Sequence, residues 1–155
     1  MIKMFVLDVD GTLTDGGFYL DGSGNEYKKF NVQDGYGLVS LLKSGIKVVF
    51  LSGRYSPATE ARAKELKITK CINGASDKIS VLKSLADEFG ITREEIVYMG
   101  DDIPDKECIV WAKVGVSPSN GVPCIKELAD ITTSLPGGSG AVRECCDYIL
   151  KYNGE

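Results

Sequence analysis

The chain has 155 residues, 43% hydrophobic and 26% charged, the balance of one globular domain with a sizeable core. Its formal net charge of -4 and its lack of a basic cluster argue against nucleic acid as a partner, and no apolar run has the length of a membrane span or the form of a leading signal peptide. There are no histidines, and the five cysteines form no Cys-x-x-Cys pair, which reads as reduced thiols in a cytoplasmic protein and removes histidine-based nucleophilic catalysis.

Met4 to Leu7 is a short apolar run bounded by turn residues, the pattern of a buried strand. It ends in Asp8-Val9-Asp10-Gly11-Thr12. Residues 18–20 and 27–30 flank Asp21-Gly22-Ser23-Gly24 and predict a projecting β-hairpin. A helix is expected over residues 35–44, with Leu38, Leu41 and Leu42 on its apolar face and Gly45 closing it. Residues 46–51 read as a second buried strand that ends in Ser52-Gly53-Arg54. Ser56-Pro57 then opens a helix, with serine at the N-cap. A short strand over residues 70–72 precedes a helix capped by Asp77 and closed by Gly90. Thr92-Arg93-Glu94-Glu95 matches a capping box before a fourth strand, 96–99. Helical character over 104–113, a strand over 114–116, a helix over 123–128, an edge strand over 130–132 and a last helix over 142–152 complete the chain. Strands alternating with helices predict an α/β fold, a Rossmann-like, doubly wound and mostly parallel sheet, in a single domain over residues 1–155.

The residues with chemistry to offer follow predicted strands, where open α/β sheets bind ligands. Asp8 and Asp10 stand two apart on an extended backbone and so point to the same side. Asp-Gly is also an ordinary turn signal. A second acidic cluster, Gly100-Asp101-Asp102-Ile103-Pro104-Asp105, follows another apolar run, and carboxylates packed together need a neutralising charge. Asp8, Asp101 and the backbone carbonyl of Asp10 form a sparse oxygen set suited to Mg2+. In this reading Asp8 attacks phosphorus, and Asp10 protonates the leaving oxygen and then activates water. Ser52 and Lys78 donate to the phosphoryl oxygens, and either Asp102 or Asp105 holds Lys78 or the waters of the metal.

These segments, taken in order, resemble the four motifs of the haloacid dehalogenase superfamily of phosphatases. The resemblance implies Asp8 as nucleophile, Asp10 as acid/base, Ser52 and Lys78 as phosphate ligands, and Mg2+ on Asp8, Asp101 and the Asp10 carbonyl. The intervals between motifs are too short for a cap domain, which leaves the hairpin in its place. Residues 30–37 and 136–144 are similar to segments of the 3-deoxy-D-manno-octulosonate 8-phosphate phosphatases, a capless family that assembles as a homotetramer through its hairpins. That resemblance implies a phosphorylated sugar acid as substrate and places the enzyme in lipopolysaccharide-type synthesis. Gly53, Arg54, Arg62 and Arg143 are the candidates for binding its anionic groups. Gln33 departs from the family's usual arginine and keeps nine-carbon sialic-acid-type 9-phosphates, or a broader set of small phosphates, as alternatives. A regulatory or phosphate-receiver module is the alternative outside enzymology. The glycine-rich residues 136–140 read as a flexible lid segment.

Overall fold

The computed structural model describes residues 1–154. Strand β1 (Met4–Leu7) leads to a hairpin of β2 (Tyr19–Leu20) and β3 (Glu26–Tyr27), and then to helix α1 (Val32–Lys43). Next come β4 (Lys47–Ser52), α2 (Pro57–Leu66), β5 (Lys70–Asn73), α3 (Lys78–Phe89) and β6 (Ile96–Met99). The chain finishes with α4 (Lys106–Trp111), β7 (Val114–Ser117), α5 (Pro123–Leu128), β8 (Ile131–Thr132) and α6 (Ala141–Tyr152). Six strands form one sheet in the order β5-β4-β1-β6-β7-β8, every neighbouring pair parallel.

A parallel sheet must be covered on both faces, so its strands are apolar throughout. All four residues of β1 and of β6 are buried. Phe5, Leu7, Val48 and Phe50 face one core with Leu38 and Leu41 of α1 and Val142, Cys145 and Ile149 of α6. Met4, Val6, Val49 and Tyr98 face the other, with Leu82 and Leu85 of α3 and Ile109 of α4. Strand order runs outward from β1 in both directions, which puts the topological switch point, and the crevice such a point opens, at the carboxyl end of β1.

Helix α1 begins at Val32, three residues before the expected start. Asn31 accepts from the backbone N–H groups of Gln33 and Asp34 and satisfies a first turn that shows no apolar periodicity. The hairpin strands are two residues long, shorter than expected, and the Asp21 carboxylate organises the tip by accepting from the N–H groups of Ser23 and Asn25. No helix among the described residues is long and apolar enough to cross a membrane.

Candidate active site

Asp8 extends β1 by one ladder bond, its N–H donating to the Met99 carbonyl at 3.0 Å. The chain then turns tightly, because the Val9 carbonyl accepts from Thr12, Leu13 and Thr14. Gly11 makes this turn possible. Its φ is +86°, and a Cβ there would lie 2.2 Å from Asp101 Oδ2. Strand β6 delivers Asp101 opposite, where Oδ1 accepts from the Thr12 hydroxyl at 3.0 Å. Gly100 admits Asp105 in the same way, since a Cβ on it would meet Asp105 Cγ at 2.3 Å.

Lys78, from the first turn of α3, closes the group. Its Nζ donates to Asp8 Oδ1 at 2.9 Å and to Asp105 Oδ1 at 2.8 Å, and its side chain is only 4% exposed. Asp105 is fully occupied: Oδ1 also accepts from Tyr98 OH at 2.6 Å, and Oδ2 from the N–H groups of Asp101 and Asp102. Of the two carboxylates expected to hold Lys78, Asp105 does so. Asp102 is exposed and caps the short turn of residues 103–105 through Ile103 N–H instead.

The charges here oppose one another. Burial pushes the Asp8 carboxyl well above its ordinary value, the Asp105 carboxylate adds to this, and Lys78 opposes it. Burial raises Asp101 as well. Burial alone would lower the Lys78 ammonium, but Asp8 and Asp105 outweigh it and raise the value. Burial and the nearby Asp105 raise Tyr98, which therefore stays a donor. Carboxylate oxygens of Asp8, Asp101 and Asp105 lie within 4.8 Å of one another. Asp105 is spent on four donors, so Asp8 and Asp101 are the pair that fits a hard divalent cation, which would offset their repulsion.

A family model of haloacid dehalogenase-like hydrolases matches residues 72–143. The 3-deoxy-D-manno-octulosonate 8-phosphate phosphatase KdsC of Escherichia coli K12 is 38% identical over 154 residues, 99% of this chain and 82% of that protein. The chain belongs to the 3-deoxy-D-manno-octulosonate 8-phosphate phosphatase family. The Moraxella catarrhalis phosphatase of that name, solved with a magnesium ion, a phosphate ion and a KDO molecule, superposes with a TM-score of 0.94 at 43% identity, covering 97% of this chain and 86% of that one. The cobalt-bound Haemophilus influenzae enzyme gives 0.95 at 35% identity, covering 99% and 90%.

In this member of the 3-deoxy-D-manno-octulosonate 8-phosphate phosphatase family, Ser52 ends β4 beside β1, buried, and its hydroxyl donates to the Arg54 carbonyl at 2.9 Å. Gly53 lies against Lys78, with Lys78 Cε 3.7 Å from where its Cβ would stand. Arg54 is half exposed, pairs with Glu26 and stacks 4.2 Å over the Phe18 ring. It lines a cleft of about 330 Å³ with Leu20, Glu26, Tyr55 and Pro57. Arg62 and Arg143 are engaged elsewhere. Arg62 pairs with Glu65 at 2.5 Å and donates to the Asn31 carbonyl, while Arg143 pairs with Asp147 and lies 5.0 Å from the Tyr36 ring centroid.

The structure adds residues absent from the candidates named above. Lys28 donates to Asp10 Oδ1 at 2.6 Å, and Tyr98 braces Asp105. Asn120 donates to the Gly11 carbonyl at 2.9 Å and accepts from Gly137 N–H at 2.7 Å. That last pair ties residues 136–140, expected as a flexible lid segment, to the Asp8 loop. Gly137 and Gly138 are buried against the Asp8 loop, so closely that a Cβ on Gly137 would meet the Gly11 carbonyl at 2.3 Å. Asn120 was findable, since it lies in the loop after β7 at the ligand-binding end of the sheet.

Proposed function

We propose that this chain is a magnesium-dependent phosphatase for 3-deoxy-D-manno-octulosonate 8-phosphate, working through an aspartyl-phosphate on Asp8, with residues 1–155 acting as one hydrolase domain. The observation that carries the reading is the convergence of Asp8, Lys78, Asp101 and Asp105, from three separate strand ends, at the switch point of the sheet. Relatives named for this substrate, one of them solved with magnesium, phosphate and KDO, support it.

Asp8, Asp101 and the Asp10 carbonyl would hold the magnesium, which supplies positive charge against the phosphoryl oxygens when bound. Lys78 fixes the Asp8 carboxylate by one oxygen and presents its ammonium to the same phosphoryl group. Asp8 forms a bond to phosphorus as the bond to the sugar oxygen breaks. Asp10 gives that oxygen a proton, then takes one from the water that attacks phosphorus and frees Asp8. Ser52, at the end of β4 beside β1, would donate to the same phosphoryl oxygens after its hydroxyl leaves the Arg54 carbonyl. Arg54, at the cleft, meets the sugar carboxylate; Gly53 leaves room beside Lys78. Arg62 and Arg143 are assigned to packing in this reading.

The test is phosphate release from a panel of sugar-acid phosphates, sugar phosphates and nucleotides, with Mg2+ and with a chelator. Preference for the eight-carbon acid, abolished by chelation, is the expected result. Preference for a nine-carbon acid would move the substrate, and silence across the panel from folded protein would favour a regulatory or receiver role. The same reading makes the protein a homotetramer. Tyr19 and Tyr27, paired across the hairpin, are 75% and 57% exposed, and Leu20 on the opposite face is 68% exposed, apolar surface that neighbouring hairpins would cover. Light scattering should then give about four times 16.7 kDa, and a monomer at assay concentration would refute it. Five free cysteines support a reducing, cytoplasmic setting.

A further inference from the structure

Lys28 leaves the hairpin one residue after β3. Its backbone is partly exposed, yet its side chain is wholly buried. A buried ammonium persists only where acceptors and counter-charges meet it. Here the groups that meet it come from three parts of the chain. Asp10 Oδ1 accepts at 2.6 Å, and Thr59 Oγ1, in the first turn of α2, accepts at 3.3 Å. Glu26 Oε2, on β3 itself, lies 4.0 Å away. Asp10 is the contrasting partner. Its side chain is 27% exposed, stands within the tight turn just before Gly11, and is met by Lys28.

We propose that Lys28 is a positioning residue for the acid/base: it grips one oxygen of the Asp10 carboxyl and thereby aims the other at the leaving sugar oxygen. The inference rests on the phosphatase reading above and adds to it a link from the hairpin to the chemistry. As the Asp8–phosphorus bond forms, the electron pair of the breaking bond passes to the sugar oxygen, which takes the proton from Asp10. In the second half Asp10 takes a proton from water, the Asp8–phosphorus bond breaks and the proton inventory is restored. Lys28 exchanges nothing in either half. A short charge-assisted bond selects one carboxyl rotamer, and misplacing a catalytic group by about 1 Å costs on the order of 10²-fold.

Proton delivery matters in proportion to how poor the leaving group is, which gives Lys28 a signature that a packing role lacks. The experiment compares wild type with Lys28→Met by kcat/KM, which stops at leaving-group departure and so omits hydrolysis of the phosphoenzyme. The substrates run from phenyl phosphate, whose phenol resembles a tyrosine side chain with a pKa of about 10, to p-nitrophenyl phosphate, with the sugar-acid phosphate alongside. Lys28→Met should lose about 10²-fold on phenyl phosphate and on the sugar-acid phosphate, and no more than about threefold on p-nitrophenyl phosphate. The dependence on leaving-group pKa therefore steepens. Lys28→Arg, which keeps the cation, should recover most of the loss. Thr59→Val removes only the second acceptor and should shift the slope the same way by a few-fold, which guards against a Lys28 variant that fails to fold.

An equal loss across the aryl series would overturn the inference and leave Lys28 a packing residue. A loss confined to the sugar-acid phosphate would overturn it in favour of direct contact with the substrate carboxylate. A wild type that cleaves no monoester would instead remove the phosphatase reading itself.

Discussion

Asp8→Asn is expected to lower phosphate release by at least about 10⁴-fold while the protein keeps its fold, because the variant removes the nucleophile proposed above and preserves its volume. Its effect on stability should run the other way. Asp8 is buried beside Asp101 and Asp105, and its carboxyl sits well above the ordinary value of 3.8. Between 3.8 and that raised value the folded protein keeps a proton that the unfolded chain releases, so stability falls as pH rises through this window. Asparagine has no such proton to lose. In the presence of a chelator, the melting temperature of wild type should therefore decline more steeply than that of Asp8→Asn as pH rises above 3.8. Calorimetric melts across that range check this, and phosphate release checks the nucleophile. Turnover retained by the variant would sink the assignment of Asp8.

How much of this site was legible beforehand follows from where each interaction lives. Strands β1, β4 and β6 are short apolar runs bounded by turn residues, and the parallel sheet that buries them requires that pattern. The acidic residues that end β1 and β6 could be placed together because a strand fixes where its carboxyl end points. Lys78 was legible through its position next to Asp77, which caps α3 by accepting from Ser80 N–H. The choice between Asp102 and Asp105 was not legible. It turns on the short helical turn over residues 103–105, which points one carboxylate back at Lys78 and leaves the other outside as a cap.

The residues missed are those whose partners are purely tertiary. Tyr98 lies in a fully buried strand and reads as core; that its hydroxyl meets Asp105 depends on the turn after β6. Lys28 resembles any solvated hairpin lysine until α2 and the Asp8 loop close around it. Arg62 and Arg143 have the right chemistry for an anionic substrate, and each also meets an acid on its own helix, Glu65 three residues on and Asp147 four residues on, a pairing that helix spacing makes visible in the sequence. Apolar periodicity places the start of α1 too late because the first turn is held by Asn31 rather than by an apolar face, although asparagine is itself a capping residue.

Lys78→Met should be costly in both stability and rate, and the two losses can be separated. The ammonium stands between Asp8 at 2.9 Å and Asp105 at 2.8 Å with almost no solvent contact, so its removal leaves buried carboxylates without their counter-charge. Breaking such a pair costs about 3–5 kcal/mol, and losing one charged donor to a phosphoryl group costs about 10²–10³ in rate. The pKa of Lys78 is raised above 10.5 in the folded state, so its stabilising contribution is complete below that pH and is lost only as pH rises through the folded value. The full deficit should therefore appear at neutral pH and shrink as the solution is acidified and the orphaned carboxylates take up protons. Denaturant titrations at neutral and acidic pH measure it. Lys78→Met combined with Asp105→Asn removes the second charge; the remaining oxygen can still accept from the backbone N–H groups of Asp101 and Asp102, and the new amide NH2 can donate to the Tyr98 hydroxyl oxygen. This double variant should regain most of the stability and none of the activity. If activity returns along with stability, Lys78 is only a structural counter-ion and the phosphoryl group must be held by something else.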